Sequence, residues 1–355
     1  MSDLFQILLT ALHLTSVNAA FAGPILALWL DVRRTRHADA VADALGRRLL
    51  RVSLHGLYGG AVFGVLSAFV WYNSHPAEVT AAAQALPTSR YYFAVAELVF
   101  SAVCFELWLM LWRRGSRRAL VGRFLAVAAI TNTIYHFPTL FAVLSVLSTR
   151  SNEAIAGISF LRHLGDGEVL ARVAHFSAAS LAVGGALLAA LASLIGPRSS
   201  GPRNSGSSPI EATPSEPIVV PPASAFDVAA RLKARGGLIS LITTVLQWPI
   251  GIVVVLQLPE TSREALMGHS MSATMLFVIS LVAVVVLMHR LSAVAFGETT
   301  RAEVRSALFW LGITIFLMTG VRHYAREPLY LSHFDSSSVR HSTPFGDHAH
   351  GYRRS

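Results

Sequence analysis

Ala178-Ala179-Ser180-Leu181-Ala182-Val183-Gly184-Gly185-Ala186-Leu187-Leu188-Ala189-Ala190-Leu191-Ala192-Ser193-Leu194-Ile195 contains no charge and no alternation of apolar with polar side chains. A membrane β-strand alternates between lipid and lumen, so this run reads as a helix. Crossing a hydrocarbon core of about 30 Å takes about 20 apolar residues. Comparable stretches lie near 4–30, 48–72, 91–112, 120–147, 168–195, 236–258, 267–289 and 304–322. The sequence therefore predicts an all-α fold, a polytopic transmembrane helix bundle of about eight helices. Composition agrees, since 53% hydrophobic and 14% charged residues over 355, with a mean hydropathy of +0.53, lie far from soluble-domain usage.

The first stretch has no basic leader and no small-residue cleavage site, so it is expected to stay as a permanent helix. Arg33, Arg34, Arg36, Arg47, Arg48 and Arg51 cluster between the first and second spans. Arg113, Arg114, Arg117 and Arg118 follow the third, and Arg198, Arg203, Arg231, Lys233 and Arg235 follow the fifth. Arg290, Arg301 and Arg305 fall on the same side, whereas Ser74–Arg90 and Pro259–Leu266 carry little positive charge. Basic connections face the cytoplasm, which places both termini outside. This bias and contact with anionic lipid account for the net charge of +9, and no nucleic-acid partner is expected.

Four regions follow: helices one to five over 1–196, a flexible cytoplasmic Pro/Ser/Gly-rich linker over 197–230, helices six to eight over 231–331, and a polar tail over 332–355. The linker cannot bury enough apolar surface to order itself. The tail carries His333, His341, His348 and His350, without the tight spacing of a structural metal site. Cys104 stands alone inside a span, which excludes an intrachain disulfide. No Cys-x-x-Cys-His occurs, which excludes conventional thioether attachment of a c-type heme.

Depth singles out four residues. At about 1.5 Å per residue, His13 lies roughly 13 Å into span one, Glu97 about 9 Å into span three, His175 about 10 Å into span five and Met271 about 6 Å into span seven. All are measured from the outer side, and just beyond them, after span eight, stand Arg322, His323 and Arg326. Imidazole and thioether groups on facing helices can bind iron axially, and cationic side chains there can neutralise heme propionates.

The plainer readings are specific too. A bundle can hold a histidine through one interhelical hydrogen bond, although an ionisable group at depth costs about 2.5–3.5 kcal/mol or more and so needs a reason. Met271 by itself reads as packing, and only its depth match with His175 raises it. His55 and His289 read as snorkelling to the interface. His136, before Phe137-Pro138, reads as structural, answering carbonyls freed by the proline, with a place along a channel as the other reading.

These residues carry a resemblance. Leu9-Thr10-Ala11-Leu12-His13 resembles the segment bearing the high-spin heme histidine of subunit I of the cytochrome bd quinol oxidases. Val169 to Ser180, running on to Val183-Gly184-Gly185-Ala186, resembles the span that supplies their low-spin b-heme histidine, here His175. Met271 would be its partner, with His269 where that family tends to have arginine. Tyr324-Ala325-Arg326-Glu327-Pro328-Leu329 resembles the family's Gly-Arg-Gln-Pro-Trp signature. The order of segments and the outside N-terminus match as well. Glu97 corresponds to the first of two acids in the family's third span beside the high-spin hemes and their proton path, and Glu106 stands roughly at the second.

The chain also departs from that pattern. The family's long quinol loop is reduced to about Pro259–Leu266, the eighth span Ile313–Gly320 lacks the family's glutamate, and the ninth span is missing. What the resemblance implies is a shortened relative, a b-type cytochrome carrying electrons in the respiratory chain of a bacterial cytoplasmic membrane. His175 and Met271 would hold one heme b and His13 a second, with a further high-spin heme as an option. Arg322 and Arg326 would hold propionates. A terminal-oxidase activity is an open option, the donor being quinol or a periplasmic cytochrome c, and the partner a second membrane subunit or a respiratory complex. The competing readings are a heme-free transporter, in which His13, Glu97 and His136 line a proton or metal path, and a scaffold subunit of a respiratory complex.

Overall fold

Among the described residues, eight helices long and apolar enough to cross a membrane make up the frame. The computed structural model describes residues 2–84, 86–112, 116–147, 160–195, 223–297 and 300–326. Of these, 94% are helical and none is in a strand, which confirms the all-α bundle. The spans are α1 (Ser2–His37), α2 (Ala40–Ser74), α4 (Thr88–Leu111), α5 (Ser116–Leu147), α7 (Gly167–Ser193), α8 (Ala223–Gln257), α10 (Met271–Phe296) and α11 (Arg301–Tyr324). Shorter helices connect them: α3 (Pro76–Gln84), α6 (Phe160–Leu164) and α9 (Glu260–Glu264).

The helices outrun the expected spans, and the largest difference is at the basic end. Arg33, Arg34, Arg36, Arg47, Arg48 and Arg51, expected in a connection, all lie in helices, because only Ala38 and Asp39 separate α1 from α2. Ala38 takes the left-handed φ of 49° that the sharp reversal needs. Asp39 caps α2 by accepting from the Ala42 amide at 3.0 Å. Carboxylates let the arginines stay helical. Asp31, 1% exposed, accepts from Arg34 at 2.6 Å and from Arg123 of α5 at 2.7 Å. Asp43 accepts from Arg47 at 2.6 Å and from the Trp112 indole at 2.8 Å, while Arg34 reaches the Trp112 carbonyl at 2.9 Å. One end of α1, α2, α4 and α5 is thereby tied together.

The centre is packed by small residues. A Cβ on Gly185 of α7 would come within 2.6 Å of the Gly236 carbonyl oxygen of α8, and the converse distance is also 2.6 Å. The two backbones therefore touch, which is how membrane helices gain contact when burial from water offers no drive. Buried Ser180 donates to Asn18 at 2.8 Å, joining α7 to α1.

Two further boundaries differ. Helix α8 begins at Ala223, so residues 223–230, expected in the linker, are helical. The connection expected to be a simple loop over Pro259–Leu266 is helix α9 followed by a π-helical turn, Ala265–His269. Gly268, at φ 123°, lets that turn reverse into α10. The turn packs Ala265 and Leu266 against Val321 and Ala325 at the end of α11. The rest of the linker, the tail histidines, and Glu327, Pro328 and Leu329 of the signature lie outside the described residues.

Candidate functional site

His13 is held by α2. Its Nδ1 lies 2.8 Å from the Gly60 carbonyl oxygen. A carbonyl only accepts, so Nδ1 carries the proton and donates it, and the lone pair of a neutral ring sits on Nε2. This is how proteins orient a metal-binding imidazole. A Cβ on Gly64, one turn along α2, would lie 2.9 Å from two atoms of the ring, so the seat depends on glycine. Phe141 of α5 meets the ring edge-on at 6.4 Å between centroids.

His175 has a different environment. Its Nδ1 is buried and has no hydrogen-bond partner among the described residues. Gly251 of α8 faces it, with the Cβ position 3.8 Å from Cε1. An unsatisfied buried nitrogen costs about 1–3 kcal/mol, which a ligand would offset. Met271, the first residue of α10, is 74% exposed, and His269 at the end of the π-turn is exposed as well.

The two acids of α4 do not meet, since nine residues of helix set them about 13 Å apart along the axis. Glu97, 7% exposed, has its Oε1 3.0 Å from His136 Nδ1 of α5. The approach is at ion-pair distance but out of line for a hydrogen bond, which leaves that oxygen without a directed donor. Asn132 donates to the Glu97 carbonyl at 3.1 Å and to Ser101 at 2.9 Å, making a polar strip between α4 and α5. Glu106 instead accepts from the Tyr58 hydroxyl of α2 at 3.0 Å.

Arg322 and Arg326 come together on α5. Ser145 Oγ accepts from Arg322 at 3.4 Å and from Arg326, which also reaches the Ser145 carbonyl at 3.1 Å. A third guanidinium, Arg172 of α7, donates to the same hydroxyl at 3.2 Å. Glu168 holds Arg172 through Nε at 3.0 Å. Sequence reasoning missed Arg172, Ser145 and Asn132, and set Glu97 and His136 on one path in the transporter reading without foreseeing their direct contact. Arg172 was discoverable, since it lies three residues before His175 on one helix, whereas a serine in an apolar span gives no signal. Among the described residues, no three His, Cys, Asp or Glu side chains stand together as a metal site.

The fold and these residues define a multi-pass helical membrane protein with imidazoles, carboxylates and arginines set within its spans. No family model matches the sequence, and no curated protein matches it. The structure is similar to a solved structure of the bd oxidase from Geobacillus thermodenitrificans, with a TM-score of 0.59 and 13% identity over 93% of this chain and 87% of that one. At that identity the likeness is one of fold.

Proposed function

We propose that this chain is a b-type cytochrome that carries electrons in a respiratory chain of a bacterial cytoplasmic membrane. The observation that carries the reading is the seating of His13, with Nδ1 committed to Gly60 and Nε2 left as a base. The partnerless Nδ1 of His175 and the shared fold support it. His13 and His175 offer imidazoles that would hold heme iron, Met271 and His269 would serve the His175 heme, and Arg322 and Arg326 would hold propionates. Bound heme supplies one-electron chemistry, relaying electrons where two protein ligands fill the iron and accepting a gas ligand where one position is open. The chain's own groups orient it: Gly60 fixes the tautomer and Gly64 makes room for the ring, while Glu97 and Glu106 are the acids proposed for a proton path. Quinol or a periplasmic cytochrome c is the donor, and a second membrane subunit in the bilayer is the partner.

A reduced-minus-oxidised visible spectrum of the purified protein, with a carbon monoxide difference spectrum on the same sample, tests this. Sharp b-type bands that vanish in part in His175→Ala and His13→Ala bear it out. A featureless spectrum from folded, heme-supplied protein overturns it.

The Glu97–His136 pair favours a second reading, a heme-free proton path along α4 and α5. Proton uptake by colourless protein in vesicles, abolished by Glu97→Gln, would support that reading.

A further inference from the structure

Glu97 Oε1 of α4 and His136 Nδ1 of α5 lie 3.0 Å apart, yet no hydrogen bond joins them, and the buried Oε1 has no donor among the described residues. Glu97 is 7% exposed, and an anionic oxygen left there without a donor is costly. A hydrogen-bonded ion pair aims the imidazole proton at the oxygen. The same spacing without that aim is what two ligands of one metal ion show. Zinc bonds of about 2.0–2.2 Å to a carboxylate oxygen and an imidazole nitrogen leave the two ligand atoms about 3 Å apart, each directed at the metal and not at the other.

The neighbours suit an ion as well. Asn132 lies one turn before His136 on the same face of α5. Its Nδ2 donates to the Glu97 carbonyl at 3.1 Å and to Ser101 at 2.9 Å, which sets the amide against α4 at the level of Glu97 and keeps Oδ1 as an acceptor. Phe93 and Tyr135 meet the His136 ring edge-on at 5.7 Å and 4.8 Å between centroids, so packing holds its plane. The His136 side chain is still 35% exposed, which leaves an ion a way in. Imidazole with carboxylate and amide oxygen is a donor set for zinc and its neighbours, whereas calcium and magnesium take oxygen alone and Cu(I) takes sulfur.

We infer that Glu97 and His136, with Asn132 beside them, form a chelate for one zinc-type divalent ion between α4 and α5. Two strong donors and an amide fall short of a closed four-ligand structural site, so water completes the shell and binding is reversible. A bound ion takes the carboxylate and the imidazole out of any proton transfer, which makes the site a stop on a proton path. No heme takes part, so the inference stands apart from the cytochrome reading.

Full-length protein with a histidine-free affinity tag, stripped with chelator, is titrated in detergent with zinc sulfate. The parent carries His333→Ala, His341→Ala, His348→Ala and His350→Ala, so that the tail does not contribute. One zinc per chain is expected. Loss of a partner behind a ligand already weakens metal sites by about 10–100-fold, so Glu97→Gln and His136→Ala should each weaken binding by at least about tenfold, and Asn132→Ala by less. Zinc should raise the melting temperature of the parent and leave that of Glu97→Gln and His136→Ala unchanged. His136→Cys keeps a ligand at the same position. It should retain zinc, and its cobalt adduct should show a thiolate-to-metal charge-transfer band that the parent lacks, since Cys104 is buried elsewhere on α4. That band decides the matter where His136→Ala fails to fold. A parent that binds no zinc overturns the chelate. Unchanged affinity in Glu97→Gln or His136→Ala overturns it too, as does a cobalt adduct of His136→Cys without the thiolate band. The visible spectrum of the protein as isolated judges the cytochrome reading separately.

Discussion

His13 on α1 donates its Nδ1 proton to the carbonyl oxygen of Gly60 on α2 at 2.8 Å, and Gly64 one turn further leaves the space that the ring fills. The pair fixes both the tautomer and the plane of the imidazole, so a small change on α2 should act through His13.

Gly64→Ala places a methyl group 2.9 Å from the ring. Overpacking of this kind costs about 1–3 kcal/mol, and rotating the imidazole is the cheapest relief. The expected outcome is loss of the carbon monoxide response with the b-type bands of the His175 heme retained. An unchanged carbon monoxide difference spectrum would show that the ring does not depend on this seat.

Glu97 and His136 lie in different helices and meet at 3.0 Å, so their coupling can be measured. Residues in contact couple by about 0.5–3 kcal/mol. Thermal unfolding in detergent of Glu97→Gln, His136→Ala and the double variant should give a double variant less destabilised than the sum of the two. Strict additivity would mean that each residue is held by other partners, such as Asn132.

The parts of this molecule legible from sequence are those that lipid enforces. A backbone group left unsatisfied in hydrocarbon is so costly that eight long apolar runs could only be helices. The basic end misled because arginines signal a connection, yet Arg34, Arg47 and Arg123 stay in helices beside Asp31 and Asp43. Depth along a span was readable, so His13, Glu97 and His175 could be singled out. Rotation about each helix axis was not readable, which is why His136 looked structural and Ser145 gave no sign of gathering three arginines.

Asp31 gives a stability prediction. It is 1% exposed and holds both Arg34 and Arg123. Removing one partner from a buried ion pair costs about 3–5 kcal/mol, since the other charge is left uncompensated. Asp31→Asn should lower the detergent-solubilised melting temperature far more than Arg36→Gln does. Equal melting temperatures would count against the network.

Asp39 gives a pH prediction. Burial pushes its carboxyl upward, but the Ala42 amide and the Arg33 guanidinium, 2.8 Å away, outweigh this and hold it below its ordinary value. A carboxylate with a depressed folded pKa contributes stability at pH above the unfolded value of about 3.9, and that contribution is lost as pH falls through the folded value. Asp39→Ala, which removes the cap, should cost about 1 kcal/mol at neutral pH. The gap to wild type should close as the pH drops below about 4. A gap that persists once the pH has fallen below the depressed folded-state value would assign the cost to the tight Ala38–Asp39 turn instead of the charge.

Met271 sits where α10 begins, 74% exposed, between two other exposed methionines, Met267 and Met275. The proposed role for it is specific: its thioether would hold heme iron together with His175. Met271→Leu keeps the volume and removes the sulfur, so the heme should remain bound through His175 while its iron opens to carbon monoxide. The expected result is an unchanged heme content with a carbon monoxide response larger by one heme equivalent. His269→Ala should leave that coordination intact and shift only the midpoint potential. If Met271→Leu changes neither band shape nor carbon monoxide response, the same substitution at Met267 and Met275 decides which sulfur closes the site. If none of the three responds, the His175 heme has no thioether ligand.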